Sequence, residues 1–188
     1  YIETIQHKSN LMNISLAEIR RSYPLEKKNT DSLWAKILIR RLSFYVAWLA
    51  IKCGLTAFQV SIIALILPGV ALIFWFTDNP LIAIIILNIW LLLDCVDGNI
   101  ARSVGINKIG EYIDATSGYM MLGFSFLGIG LYLDIHSINL FGMSQPGFTL
   151  LGSLASILNL LTRVNYQKYT NVISKYNLSS DINNSNSI

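Results

Sequence analysis

Long apolar runs separated by short polar segments make up most of the chain beyond residue 56. The runs lie near residues 57–77, 81–103, 109–133 and 147–165. A helix needs about 20 mostly apolar residues to cross the hydrocarbon core of a bilayer. The pattern therefore predicts four membrane-spanning helices. The corresponding fold class is all-α, a polytopic transmembrane helical bundle.

A shorter apolar run precedes these four and has a different character. The uninterrupted stretch Leu42–Ile51 is about half as long as a span requires. Basic residues flank it and aromatic rings lie along it, as is typical of a helix lying in the membrane interface. These residues are Lys36, Arg40, Arg41, Lys52, Trp34, Tyr45 and Trp48. We expect residues 33–53 to form an N-terminal interfacial amphipathic helix.

The same pattern gives the domain organisation. Residues 1–32 are a mixed polar N-terminal segment, and residues 33–165 are the membrane domain. Residues 166–188 are rich in Ser and Asn, so we expect a disordered polar tail or a linker.

Composition excludes two broad classes of protein. Fifty-three per cent of the 188 residues are hydrophobic and only 13% are charged, and the mean hydropathy is +0.51. A soluble domain usually carries about 25% charged residues, so a water-soluble globular protein is excluded. The net charge is only +3, and the basic residues are too sparse for a nucleic-acid partner, which requires a continuous basic patch.

The distribution of Lys and Arg predicts the orientation. With the N-terminus in the cytoplasm, the connections 78–80 and 134–146 fall outside, and neither contains Lys or Arg. The basic connection 102–108 and the basic C-terminal tail then fall inside. A further span over residues 36–53 would move both basic segments outside. The expected protein is integral to the membrane, with its functional end facing the cytoplasm.

Acidic and small residues lie where the second predicted span ends and the third begins. Each set has helical spacing and therefore shares one helix face. The first set is Asp94, Asp97, Gly98 and Ala101, and the second is Gly110, Asp114 and Gly118. Because a short loop joins the two spans, we expect antiparallel neighbours with three carboxylates converging near the cytoplasmic end.

This arrangement implies a ligand. Carboxylates in a low-dielectric medium are costly, so they must either bind protons or be neutralised by cations. Mg²⁺ takes carboxylate oxygens and keeps positions open for substrate phosphates. Gly98 and Ala101 leave the acidic face accessible, and Arg102 is suited to a phosphate contact. The residues together indicate a diphosphate substrate at the membrane surface.

The same residues resemble the motif of the CDP-alcohol phosphotransferase (CDP-alcohol phosphatidyltransferase) family. That motif is Asp-x-x-Asp-Gly-x-x-Ala-Arg followed by Gly-x-x-x-Asp-x-x-x-Asp. The resemblance extends over roughly residues 33–165. The matching positions are Asp94, Asp97, Gly98, Ala101, Arg102, Gly110 and Asp114.

The resemblance implies a reaction and a set of roles. A phospho-alcohol group, for example phosphatidyl, would pass from a CDP-alcohol to an acceptor hydroxyl, with release of CMP, in phospholipid or related biosynthesis. Divalent cations, Mg²⁺ or Mn²⁺, would be held by the aspartates, and the CDP site would be lined by the residues between them. The metal ligands would be Asp94, Asp97 and Asp114, and the CDP contacts Gly98, Ala101 and Arg102.

Three features depart from the family pattern. Gly118 stands where the family has its last aspartate, the expected general base, so no catalytic residue is assigned. The turn Thr56–Gln59 lacks the Pro-Asn often found there. The family has six spans, whereas four are counted here; the other pair would follow the polar tail in a longer parent protein.

Other functions remain open from the sequence. A catalytically degenerate partner subunit would retain CDP and metal affinity without turnover. A proton or cation relay in a transporter would also use intramembrane carboxylates, but it leaves the ordered Gly, Ala and Arg unexplained.

Two further features allow alternatives. Arg163 would contact an acceptor phosphate or carboxylate, or would be a helix-end cation extending to the interface. Gly123, Gly128 and Gly130 would permit close helix approach, either in a homodimer or within the chain.

Overall fold

The computed structural model describes residues 14–24, 33–105, 108–136 and 146–185. Within these ranges there are six α-helices and no strand. The helices are α1 (Leu16–Arg21), α2 (Arg40–Lys52), α3 (Ala57–Phe76), α4 (Pro80–Val104), α5 (Lys108–Ile135) and α6 (Gly147–Ser185), with a π-helical segment, Ala35–Ile39, leading into α2. The all-α prediction is confirmed. Much of the predicted polar segment 1–32 lies outside the described residues.

Four of the described helices are long and apolar enough to cross a membrane, as the sequence predicts. They are Ala57–Phe76, Pro80–Val104, Tyr112–Ile135 and Gly147–Tyr176. The first residues of two of these helices follow directly from the local sequence. Thr56 and Gln59 cap each other at the start of α3, with each side chain bonded to the other residue's backbone N–H. Pro80 occupies the first turn of α4, where its missing N–H costs nothing.

The last helix extends well beyond the predicted span. It has 39 residues, or about 58 Å at 1.5 Å per residue, roughly twice the thickness of the hydrocarbon core. The expected polar tail therefore begins as helix, through Ser185. Its polar composition concealed two features that favour a helix. Residues 165–185 contain neither Gly nor Pro, and apolar and aromatic side chains recur at helical spacing: Tyr166, Tyr169, Ile173 and Tyr176.

The helices do not pack in chain order. The central helix α3 packs against both α4 and α5, α6 packs against α5, and α2 packs against α4. The consecutive helices α4 and α5 make few contacts with each other. The expectation that they are antiparallel neighbours therefore holds only for a small direct contact, because α3 packs extensively against both.

Helix α2 has the two faces expected of a helix at a membrane surface. Its inner face is made of small or aliphatic residues that pack against α4, which are Ser43, Ala47, Ala50 and Ile51. Its outer face, together with the turn before it, exposes large apolar and aromatic side chains, which are Trp34, Leu42, Tyr45, Trp48 and Leu49. The exposed rings are of the kind enriched at membrane interfaces.

The glycines of α5 serve packing within the chain. Any side chain at Gly128 would collide with the ring of Trp75 on α3, and one at Gly130 would collide with the backbone of Phe148 on α6. A Cβ at Gly123 would lie 3.9 Å from a methyl of Leu160. These contacts account for the glycines without a second copy of the chain.

Candidate active site

The motif aspartate Asp97 is buried on α4, with 5% of its surface exposed. Its Oδ2 accepts a 2.7 Å hydrogen bond from the hydroxyl of Ser61 on α3. Ser61 is itself 2% exposed, and its hydroxyl also lies 3.1 Å from the carbonyl oxygen of Ala57. A buried carboxylate requires such partners, because its loss of hydration is otherwise uncompensated.

The other two motif aspartates are half-buried at the same end of the bundle. The negative charges of Asp114 and Asp94 both act on Asp97. The predicted convergence is nevertheless only partial. No three His, Cys, Asp or Glu side chains among the described residues lie close enough together to bind one metal ion. The separation of α4 from α5 explains this spacing.

Arg102 folds back along α4 over Gly98. A Cβ at position 98 would lie 3.2 Å from Nη1 and 3.5 Å from Nη2 of Arg102. The missing side chain of Gly98 therefore makes room for the guanidinium group of the chain itself. Ala101, also predicted to line this site, is half-buried on the same helix.

Two buried polar residues hold Arg102 in this position, and sequence reasoning missed both. Nη2 of Arg102 donates a 2.7 Å hydrogen bond to Oδ1 of Asn99, whose Nδ2 donates to Oγ of Ser43 on α2 at 3.0 Å. Asn99 and Ser43 are fully buried. Nε of Arg102 is also buried and has no hydrogen-bond partner among the described residues. The guanidinium group is thus oriented by Asn99, and one of its buried donors is unsatisfied.

A signal for these partners was present in the sequence. Asn99 lies inside the Asp-Gly-x-x-Ala-Arg run, and Ser61 is a polar residue within the apolar stretch of α3. A polar side chain in a membrane span is costly unless it is bonded. Each therefore indicates a buried partner, although the sequence does not indicate which one.

Position 118, where the resemblance predicts an aspartate, faces open space. A Cβ at Gly118 would meet no atom within 4 Å. The neighbouring Ser117 is buried and already bonded. Its hydroxyl donates to the carbonyl oxygen of Asp114 at 3.0 Å and accepts from Nε1 of Trp90 at 3.3 Å. Ser117 consequently links α5 to α4 through this hydrogen bond.

Arg163 on α6 lies against Tyr119 of α5, the residue after Gly118. Its guanidinium carbon lies 5.7 Å from the ring centre of Tyr119, and its Nε donates to Oδ1 of Asn159 at 3.2 Å. The hydroxyl of Tyr119 donates to Gln167 at 2.9 Å. Arg163 is partly buried in this contact.

An apolar cavity of about 320 Å³ lies between α5 and α6. Tyr119 lines it and also contacts Arg163, so the cavity adjoins the polar end of the bundle. The lining residues are Thr116, Tyr119, Met120, Gly123, Phe124, Leu127, Ser153, Ser156, Ile157 and Leu160.

A protein-family model described as CDP-alcohol phosphatidyltransferase matches residues 36–179, which is more than half of the chain. The chain belongs to this family. Neither a curated protein nor a solved structure matches it.

Family membership and the four spans together identify an integral membrane protein of a transferase family whose substrates are a CDP-alcohol and an alcohol acceptor. The matched range includes part of the extension of α6 beyond residue 165, and it begins after the segment that contains α1.

Proposed function

We propose that this CDP-alcohol phosphatidyltransferase family member moves a phospho-alcohol group, for example phosphatidyl, from a CDP-alcohol to an acceptor hydroxyl and releases CMP at the cytoplasmic face. The observation that carries the proposal is the environment of Asp97. It is a buried carboxylate bonded by Ser61 and repelled by Asp94 and Asp114. Such a group calls for a positive ligand.

The aspartates have the donor chemistry for Mg²⁺ or Mn²⁺, on which this family generally depends. Hard divalent cations bind carboxylate oxygens and complete their coordination with water and substrate phosphate. The three carboxylates lie too far apart to enclose an ion by themselves. They suit a cation whose remaining ligands come from the diphosphate of the substrate. Asp94, Asp97 and Asp114 would hold the cation, which would neutralise charge on the diphosphate.

Arg102 would bind the diphosphate beside the cation. Its guanidinium group is oriented by Asn99, and Nε–H is buried without an acceptor. Burial strengthens a bond from such a donor to a phosphate oxygen. Gly98 and Ala101 would line the same site, where neither has a large side chain that could block the substrate.

The acceptor would approach from the side of α5 and α6. Its hydroxyl oxygen forms a new bond to phosphorus as the bond from phosphorus to the CMP oxygen breaks. Arg163 lies against Tyr119 and would bind an anionic group of the acceptor. The adjoining cavity is apolar and supports a substrate with a lipid-like part. Gly118 cannot take the proton of the hydroxyl, so the group that does remains unassigned.

A catalytically degenerate subunit is the second candidate, favoured by the glycine at position 118. Such a subunit would bind CDP and the cation without releasing CMP.

Metal-dependent release of CMP tests the proposal. The purified chain in liposomes would receive CDP-diacylglycerol and a mixture of polyol and amino-alcohol acceptors, with and without Mn²⁺. Asp97→Asn is the blank. Asp78→Asn is the matched control, because Asp78 lies in the turn before α4 with a positive φ that Asn also tolerates.

CMP release that requires Mn²⁺, is lost in Asp97→Asn and persists in Asp78→Asn supports the transferase. CDP binding without CMP release supports the degenerate subunit. Absence of both CDP binding and CMP release contradicts both candidates.

A further inference from the structure

The segment Ile14–Pro24 precedes the family match, yet it reaches the candidate site. Its helix α1 is fixed by a capping box in which Ser15 and Glu18 bond each other's backbone N–H groups. Ile19 is fully buried and belongs to one cluster with Ala47 of α2 and Val96 of α4. The segment is therefore anchored in the core beside α4, the helix that carries Asp94 and Asp97.

Tyr23, at the end of this segment, lies against Arg102. Its ring centre is 5.8 Å from the guanidinium carbon of Arg102 and 4.9 Å from that of Arg40. Phe44 supports the ring in an edge-to-face contact at 5.9 Å. One residue earlier, the Ser22 hydroxyl lies 3.4 Å from that of Ser103 on α4.

These contacts offset the repulsion between two positive charges. Arg40 and Arg102 carry like charges that repel each other. The negative face of an aromatic ring attracts a guanidinium group, most strongly where water is excluded. Tyr23 can therefore hold both cations near each other, and it joins Asn99 in fixing the guanidinium group of Arg102 over Gly98.

We propose that Tyr23 is a positioning residue that orients Arg102 for the diphosphate of the substrate, so that the segment Ile14–Pro24 completes the nucleotide site. The proposal rests on the proposed function, because it assumes that Arg102 binds the diphosphate. It assigns a role to a part of the chain that the family match does not include.

Affinity for CDP in the presence of Mn²⁺ tests this role in the full chain. Tyr23→Ala removes the ring and is expected to raise the Kd for CDP roughly three- to tenfold, the range of a partly desolvated cation–π contact. Tyr23→Phe keeps the ring and should restore the affinity. Tyr23→Leu keeps apolar bulk without the ring and should resemble Tyr23→Ala, which separates positioning from folding.

Tyr45→Ala is the matched control. Tyr45 has the same kind of contact with the same segment, since the guanidinium carbon of Arg20 lies 5.3 Å from its ring centre. The Tyr45→Ala variant should therefore have the wild-type Kd for CDP. Equal Kd values for wild type and both Tyr23→Ala and Tyr23→Leu would overturn the role of Tyr23, as would an equal loss in Tyr45→Ala.

A chemical readout separates failure of this proposal from failure of the proposed function. Phenylglyoxal modifies arginine, and the rate at Arg102 can be followed by peptide mass spectrometry without any substrate. Removal of the Tyr23 ring should speed modification of Arg102 severalfold, whereas Tyr45→Ala should not. An unchanged rate overturns the contact itself. If Arg102 is modified faster in the variant but the wild type binds no CDP, the contact between Tyr23 and Arg102 exists and the proposed function fails. The proposed role of Tyr23 in binding the diphosphate then fails as well.

Discussion

The hydroxyl of Ser61 on α3 donates a 2.7 Å hydrogen bond to Oδ2 of Asp97 on α4, and both residues are buried. Ser61 lies outside the aspartate motif. The central helix of the bundle thus fixes the orientation of a motif carboxylate on its neighbour. Groups that orient a metal ligand in this way commonly affect metal affinity nearly as much as the ligand does.

Ser61→Ala should raise the Mn²⁺ concentration that CMP release requires. Loss of the hydroxyl leaves the Asp97 carboxylate without the donor that orients it, and such changes typically cost about 10- to 100-fold in metal affinity. The measurement is the Mn²⁺ concentration that gives half-maximal CMP release. Ser61→Thr keeps the hydroxyl and should retain most of the wild-type affinity.

Ser125→Ala is the control for that change. Ser125 is a partly buried serine on α5 whose hydroxyl bonds the carbonyl of Met121 in its own helix. Its removal should leave the Mn²⁺ requirement unchanged. A Ser61→Ala variant with wild-type Mn²⁺ dependence would show that Asp97 is oriented without this bond.

Gly98→Ala should affect stability and substrate affinity in opposite directions. Alanine in place of glycine within a helix stabilises it by about 0.5–1 kcal/mol. The new Cβ would, however, lie 3.2 Å from Nη1 of Arg102, so the guanidinium group must move. Weakening a charge-assisted bond of about 1.5–3 kcal/mol should raise the KM for the CDP-alcohol about tenfold.

Gly69→Ala on α3 is the matched control, because a Cβ there would lie 4.0 Å from Cε2 of Phe124, an ordinary contact. Thermal unfolding in detergent and the KM for the CDP-alcohol should be measured for both variants. An unchanged KM in Gly98→Ala would show that the position of Arg102 does not limit substrate binding.

The apolar pattern was sufficient to predict the α-helical class and the four spans, because the bilayer imposes a length and a composition on each span. Motif spacing also placed the aspartates at one end of the bundle. Neither pattern could reveal that α3 lies between α4 and α5, since packing order depends on side-chain shapes across the whole chain. The expected α4–α5 pairing is limited to a small contact for this reason.

The partners of the motif residues were less predictable still. Ser61, Asn99 and Ser43 are recognisable only as polar residues in apolar surroundings, and their pairing is a three-dimensional fact. The same holds for Tyr23, which lies about 80 residues before Arg102 in the chain. The helical extension of α6 was concealed by a polar composition that suggested disorder.

Gly118→Asp should raise metal-dependent CMP release. Open space surrounds position 118, so an aspartate fits without displacing other atoms. A correctly placed general base contributes on the order of 100-fold or more to rate, and the side chain would lie one helical turn from Asp114. Gly118→Asn has the same shape without the basic carboxylate and should release CMP at the wild-type rate.

A second readout follows from the added charge. Without a cation, like charges one turn apart should lower the free energy of unfolding by about 0.2–0.5 kcal/mol, and Mn²⁺ should reverse that loss. If CMP release in Gly118→Asp stays at the level of Gly118→Asn, the absence of a carboxylate at position 118 is not what limits turnover.

The other end of the bundle offers a test of stability alone. Asp134, near the end of α5, accepts hydrogen bonds from the backbone N–H groups of Phe148 at 3.2 Å and Thr149 at 2.7 Å, and so caps α6 across a chain connection. Asp134→Ala should lower the free energy of unfolding by about 1–2 kcal/mol, since two of the first N–H groups of α6 would lose their acceptor. Asp134→Asn keeps one acceptor oxygen and should lose about half as much.

Denaturant unfolding in detergent measures the stability of both variants. The KM for the CDP-alcohol is expected to stay at the wild-type value, because the cap lies far from Asp97. An Asp134→Ala protein as stable as wild type would mean that water or other groups satisfy the start of α6 without this carboxylate.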